Sequence, residues 1–151
     1  MAISQAMATS FKVEILTATH NFGTAPTRAT GAADTFKLAL YTSSATLNAA
    51  TTAYTTTDEV SSSGTNYTAG GLTLTISQVP TSSGTTSYID FDDLTFPSAT
   101  LTANGALIYN ATQSNKAVAV LAFGGDKTST AGNFTIQFPS PTSTTAILRI
   151  A

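Results

Sequence analysis

Three carboxylates stand close together in the middle of the chain: Asp90, Asp92 and Asp93. Side chains of an extended strand alternate between faces, so Asp90 and Asp92 share a face opposite Ile89 and Phe91. Carboxylates at that spacing could offer oxygens to Ca²⁺, a hard cation that takes several of them. No glycine-containing calcium loop surrounds them, and the expected arrangement is a solvated strand face running into a turn. His20 is the one histidine and there is no cysteine, so a zinc centre lacks its usual ligands. A ring near the end of a candidate helix has a plain structural role, because partial positive charge is favoured there. Serine and aspartate are common enough to sketch a Ser-His-Asp triad, but no G-x-S-x-G elbow supports it. Gly70-Gly71 and Gly124-Gly125 lack the lysine and the strand-to-helix setting of a phosphate loop. The expectation is a chain without catalytic residues, metal or cofactor.

Aromatic residues could form a contact surface. Phe11, Phe36, Phe91, Phe123, Phe134 and Phe138 follow core-facing patterns, whereas Tyr54 and Tyr67 flank a Ser/Thr-rich stretch and are the better candidates for touching a partner. Three glycosylation sequons begin at Asn66, Asn110 and Asn133. With no basic, apolar leader at the N-terminus they are read as coincidence, and folding in a cytoplasm is expected.

The elements that would position these residues are strands. The stretch 101–125 reads as a hairpin, with strands at 106–110 and 117–123 joined by the polar connection 111–116, which holds turn-prone Ser114 and Asn115. A half-exposed strand alternates apolar and polar residues, but 117–123 is apolar throughout. It should be covered on one face by an opposing sheet and on the other by a helix or a second subunit. Ala117, Ala119, Leu121 and Phe123 are therefore candidate interface residues alongside the two tyrosines. Gly124-Gly125 is expected to stop this strand.

Other strands are expected at 34–42, at 72–76 through Leu72, Leu74 and Ile76, at 88–92, at 134–138 ahead of Pro139 and Pro141, and at 146–150. Gly70-Gly71 suggests a bulge or a close backbone approach, and 80–84 a turn. The one helix candidate is 10–22, where Phe11, Ile15, Ala18 and Phe22 fall on one face, Ser10 can cap the start, and Gly23 with Pro26 can end it. Residues 1–9 read as a flexible arm. The stretch 43–63 has no sustained period and is too long for a quiet loop, so it is functional or holds short elements. Together these give an all-β antiparallel sandwich or jelly roll of one domain over 1–151, with a closed barrel as the alternative.

Composition narrows the function classes. Only 9% of residues are charged, against about 25% in an average domain. Thirty-one Thr and sixteen Ser replace the missing charge. The net charge of -2 carries no footprint for nucleic acid or an anionic membrane. Weak self-repulsion suits close association with copies or partners.

The order of segments carries a resemblance. Ser10-Phe11-Lys12, Glu14, His20-Asn21-Phe22, the run from Asp34 to Ser43, Tyr67-Thr68-Ala69-Gly70-Gly71, the run from Gly105 to Asn110 and that from Ala117 to Phe123 resemble small virion proteins of tailed bacteriophages. The resemblance implies a structural virion component assembled in a bacterial cytoplasm. It would be a capsid decoration (cement) protein bound to the major capsid protein as a homodimer or homotrimer, or a tail or fibre component. It transfers no catalytic residue. A carbohydrate-binding β-sandwich is the alternative from a different class.

Overall fold

The computed structural model describes residues 2–16, 18–23 and 33–151. The hairpin organises it. β6 (Leu94–Asn110) and β7 (Lys116–Ile136) pair antiparallel, with Ala106 opposite Leu121, Leu107 opposite Val120 and Ile108 opposite Ala119. The turn between them puts Ser114 and Asn115 at φ 53° and 58°, a left-handed geometry that short polar side chains tolerate. β7 does not stop at Gly124-Gly125. From Ala103 to Gly105 β6 advances two residues while β7 goes from Lys127 to Ala122, and the surplus is absorbed as a bulge. Both glycines take positive φ there, 71° and 142°, so the ladder bends and then resumes. The strand expected at 134–138 is the far end of β7, with Phe138 beyond it.

β2 (Phe36–Tyr41) lies on the other side of β6, and β3 (Leu72–Thr73) and β1 (Ala6–Met7) complete a five-stranded sheet in the order β1-β7-β6-β2-β3. β4 (Ile76–Ser83), β5 (Thr86–Phe91) and β8 (Leu148–Ile150) form a second sheet in the order β4-β5-β8. The strand expected through Leu72, Leu74 and Ile76 is thus divided between two sheets. Pro80, expected in a turn, lies inside β4. It is tolerated because β4 is an edge strand and the register slips between Gln78 and Thr81. All pairing of these strands is antiparallel, and the architecture is an all-β, sandwich-like one with a single short helix among the described residues.

Both faces of the large sheet are covered. Phe36, Leu38, Leu40, Ile108, Ala119 and Leu121 share one face by alternation and register, and all are buried. Phe36 lies 6.1 Å from Phe91 of the second sheet and 4.1 Å, parallel-stacked, from Phe22. The opposite face carries Ala39, Tyr41, Leu107, Tyr109 and Val120, buried as well. Its cover is the stretch 43–63, where Tyr54 stacks on Tyr109 at 4.7 Å and Leu47 bridges to Ile3. The chain supplies both covers of 117–123 itself.

The helix α1 (Thr9–Leu16) is shorter than the expected 10–22. Ala18 turns left-handed at φ 54°, and the Ala18 and Thr19 N–H groups bond back to the carbonyls of Ile15 and Glu14 at 3.0 and 2.9 Å. This Schellman-type stop satisfies the last carbonyls, and it sends His20 and Phe22 down onto the sheet instead of along a helix face. The Ser10 hydroxyl finds no hydrogen-bond partner, so it does not cap the start. Pro26 and Arg28 lie outside the described residues. The described part of the expected arm 1–9 is tied down: Ala6 and Met7 pair with Val120 and Ala119, and Ser4 N–H bonds to the Leu47 carbonyl at 2.9 Å. No described helix is long and apolar enough to cross a membrane.

Two substitutions test this packing. Leu121→Ala, at a side chain 8% exposed, should cost about 2–5 kcal/mol in urea unfolding. Gly71→Ala should cost at least as much, because Gly71 sits at φ 70° and a Cβ there would overlap the Leu38 carbonyl. A wild-type midpoint in either variant would mean that the local packing is wrong.

Candidate functional site

The densest polar constellation is built by the stretch 43–63 and the two glycines that follow it. Glu59 accepts hydrogen bonds from three donors. The Tyr54 hydroxyl reaches Oε2 at 2.7 Å, and the Tyr67 hydroxyl and the Gly70 N–H both reach Oε1 at 2.6 Å. The Tyr67 oxygen in turn accepts the Leu40 N–H at 3.0 Å. Tyr109 donates to the Gly70 carbonyl at 2.7 Å and Tyr41 to the Thr55 carbonyl at 2.6 Å. Every hydroxyl of this four-tyrosine set is engaged. Burial pushes the Tyr67, Tyr54 and Tyr41 phenols far above their usual range, and the Glu59 charge pushes further in the same direction. Tyr109 is raised for the same two reasons. These phenols stay neutral and act as donors. The cluster fastens a long irregular segment across the sheet.

Tyr54 and Tyr67 are therefore placed differently from a free contact pair. Tyr67 is buried and Tyr54 is half-buried against Tyr109. Glu59 and Tyr109 escaped the sequence reading. A signal existed: Asp58 and Glu59 are the only charged residues between Lys37 and Asp90, and Tyr54 and Tyr67 bracket them.

A second constellation joins four elements around His20, whose side chain is fully buried. Its Nε2 lies 2.7 Å from Glu14 Oε2 on α1, and its Nδ1 lies 3.0 Å from Asn110 Nδ2 at the end of β6. Asn110 Nδ2 also reaches Asp34 Oδ2 at 2.8 Å, while its Oδ1 accepts the Thr112 and Gln113 N–H groups at 3.0 and 3.1 Å. Lys116 Nζ holds the other Glu14 oxygen at 2.7 Å. Burial works against the Glu14 charge, but Lys116 and His20 outweigh it and hold the carboxyl below its usual range. The expected place of His20 at a helix end is corrected. The ring lies beyond the helix stop, between Phe11 at 4.8 Å and Phe22 at 6.4 Å.

The three aspartates separate. Asp92 and Asp93 are exposed, and Asp93 Oδ1 accepts the Phe138 N–H at 2.8 Å. Asp90 is not on a solvated face; it is fully buried, because β5 is the middle strand of its sheet and Ile89, Asp90 and Phe91 are all covered. Its Oδ1 takes the Phe91 N–H at 2.9 Å, and its Oδ2 has no hydrogen-bond partner. Burial pushes its carboxyl up and the Asp93 charge adds to that. The Phe91 N–H and the nearby Ile147 N–H, which makes no bond to Oδ2, offset only part. Among the described residues no group of three His, Cys, Asp or Glu side chains is arranged to hold a metal.

The remaining candidates lie inside. Ala117 is 0%, Ala119 5% and Leu121 8% exposed, and Phe123 is half-buried 6.3 Å from Phe134. What faces outward on the far half of the hairpin is threonine. Thr95 pairs with Thr135 and Thr102 with Thr128, each hydroxyl pair at 2.9 Å, and Thr100 accepts the Ala131 N–H at 2.9 Å. No known family model, curated protein or solved structure matches the chain.

Two measurements follow from these carboxylates. Glu59→Ala should cost about 2–4 kcal/mol by stranding the Tyr67 hydroxyl and the Gly70 N–H, and should increase proteolysis within 43–63. For Asp90, the folded state holds the proton more tightly than the unfolded chain. Its contribution to stability is therefore full below the ordinary carboxyl pKa and is lost as pH rises through the raised one. Asp90→Asn keeps the bond to Phe91 and removes that loss. The thermal midpoint of Asp90→Asn minus that of wild type should therefore widen from pH 4 to pH 7; a gap that narrows would contradict the assignment.

Proposed function

We propose that the chain is a structural virion protein of a tailed bacteriophage, a capsid decoration protein that binds the major capsid protein as a dimer or trimer. The resemblance in segment order is one support. The observation that carries the reading is the outward face of the β6–β7 ribbon, where paired threonines offer hydroxyls and methyls without charge. The threonine pairs can lie against a shell with little desolvation cost because they are uncharged; the exposed charges on this ribbon, Asp126 and Lys127, sit beside them at the bend. The apolar strand 117–123 is engaged within the chain, so the contact falls to this ribbon and to the half-exposed Phe123 beside it. Many copies on a symmetric shell add such weak contacts through avidity.

Attachment of this kind resists salt. Exposed ion pairs contribute about 0–1 kcal/mol and are screened, whereas burial of apolar area is not weakened by salt. Particles carrying the protein should keep it through a wash in about 0.5 M NaCl, where the Debye length has shrunk to roughly 4 Å. Thr102→Glu with Thr128→Glu should release it at low salt, because like charges would sit on directly opposed positions. Release of the wild-type protein by the wash, with the particles intact, would refute the proposal.

A further inference from the structure

The hydrogen bonds around His20 leave its imidazole one permitted state. Asn110 cannot turn its amide over: Oδ1 is held by two backbone N–H groups and both Nδ2 hydrogens are used, one on Asp34 and one on His20 Nδ1. Nδ1 must therefore carry a lone pair, and the ring proton sits on Nε2, donated to Glu14. A second ring proton would point at an amide donor 3.0 Å away, on a side chain with no exposed surface for water to reach. We propose that His20, Asn110 and Glu14 form an acid-released latch: protonation of His20 breaks its bond to Asn110 and frees residues 18–23 from the β6–β7 turn.

Charged groups face the ring from each packed element, and they oppose one another. Glu14 on α1 favours an imidazolium, but its other oxygen is already neutralised by Lys116 of β7. Asp34, ahead of β2, is linked to the ring through Asn110, and its Oδ2 also takes the Asn21 N–H at 3.0 Å. Attraction to Glu14 favours the new proton on the ring as a whole, but on Nδ1 that proton meets the Asn110 donor, and this clash is what breaks the contact. This contact holds the chain's one histidine, the residue type that serves as a proton switch.

Release has a structural consequence. His20, Phe11, Ile15 and Phe22 form one wall of an apolar cavity of about 190 Å³, and Ile89 and Leu148 of the second sheet form part of the other. When 18–23 lifts, Phe22 leaves its stack on Phe36 and the pocket, already partly open, widens onto the core face of the large sheet. The latch thus couples proton binding to exposure of the seam between helix and sandwich.

The single histidine makes the test direct, since its ring signals cannot be confused with others. Nitrogen-15 NMR of the wild-type protein at pH 7.5 should show the Nε2–H tautomer. Between pH 7.5 and 5.5, exchange protection of the Ala18, Thr19 and Asn21 amides, which bond the Ile15 and Glu14 carbonyls and Asp34 Oδ2, should fall at least about tenfold after correction for intrinsic rates, while β6 and β7 stay protected. His20→Gln keeps an acceptor for Asn110 and a donor for Glu14 and does not titrate, so it should abolish the step. An Nδ1–H tautomer, or a protonated ring with protection of Ala18, Thr19 and Asn21 unchanged, would overturn the proposal on wild type alone. The same step surviving in His20→Gln would overturn it too, and would pass the pH dependence to Glu14 or Asp34.

Discussion

The constraint behind this architecture is a strand that water cannot touch on either side. Residues 117–121 of β7 are buried without alternation, and their partners in β6 are too. Edge strands and short hairpins can tolerate one wet face; this hairpin cannot. Each cover must then come from elsewhere in the chain. The second sheet, α1 and Phe22 take one face, and they bring a chain of aromatic contacts from Phe11 to Phe91. The other face is closed by a segment with almost no regular structure.

An irregular cover creates its own difficulty. Backbone groups in 43–63 cannot satisfy one another as a ladder does, so they must find side chains or bridges. Isolated bridges at Leu47, Ala53 and Glu59 answer part of that need. Glu59 answers more of it, by gathering two phenols and a backbone amide onto one carboxylate. A charged acceptor makes stronger hydrogen bonds than a neutral one, which suits a single residue holding three donors. Gly70 and Gly71 belong to the same solution, since Gly71 lets the following chain press against the Leu38 carbonyl.

The strand at Phe36–Tyr41, the hairpin, its need for two covers and the all-β class were legible in the sequence, because each rests on local alternation or its absence. The close approach at Gly70-Gly71 was legible for a similar reason. What was not legible depended on distant partners. A pair of glycines stops an isolated strand, but here β6 continues opposite and holds β7 across the bulge. The periodicity of 10–22 was real in Phe11 and Ile15, yet His20 and Phe22 gain more by bonding Asn110 and stacking on Phe36 than by extending a helix through two threonines. Asp90 looked solvated because alternation reports the faces of a strand and not what lies over them. The identity of the second cover was equally hidden, since a low-complexity Ser/Thr segment gives no period to read.

The sparse charge acquires a sharper meaning from where it sits. Of fourteen charged side chains, Glu14, Lys116, Asp34, Glu59 and Asp90 are engaged in contacts within the fold or buried outright. They fasten the helix, the 43–63 cover and the strand ends, while Asp92, Asp93, Asp126 and Lys127 stay on the surface. Glu59 and Asp90 also mark two ways of keeping a carboxyl inside. Glu59 is saturated by donors and sits at a joint between segments, where breaking it loosens the cover. Asp90 has one oxygen bonded and one bare, so its environment favours the protonated form and sets a pH cost on the second sheet. The charges placed at these joints hold segments of the fold together, while the outward threonine pairs of the β6–β7 ribbon present hydroxyls and methyls.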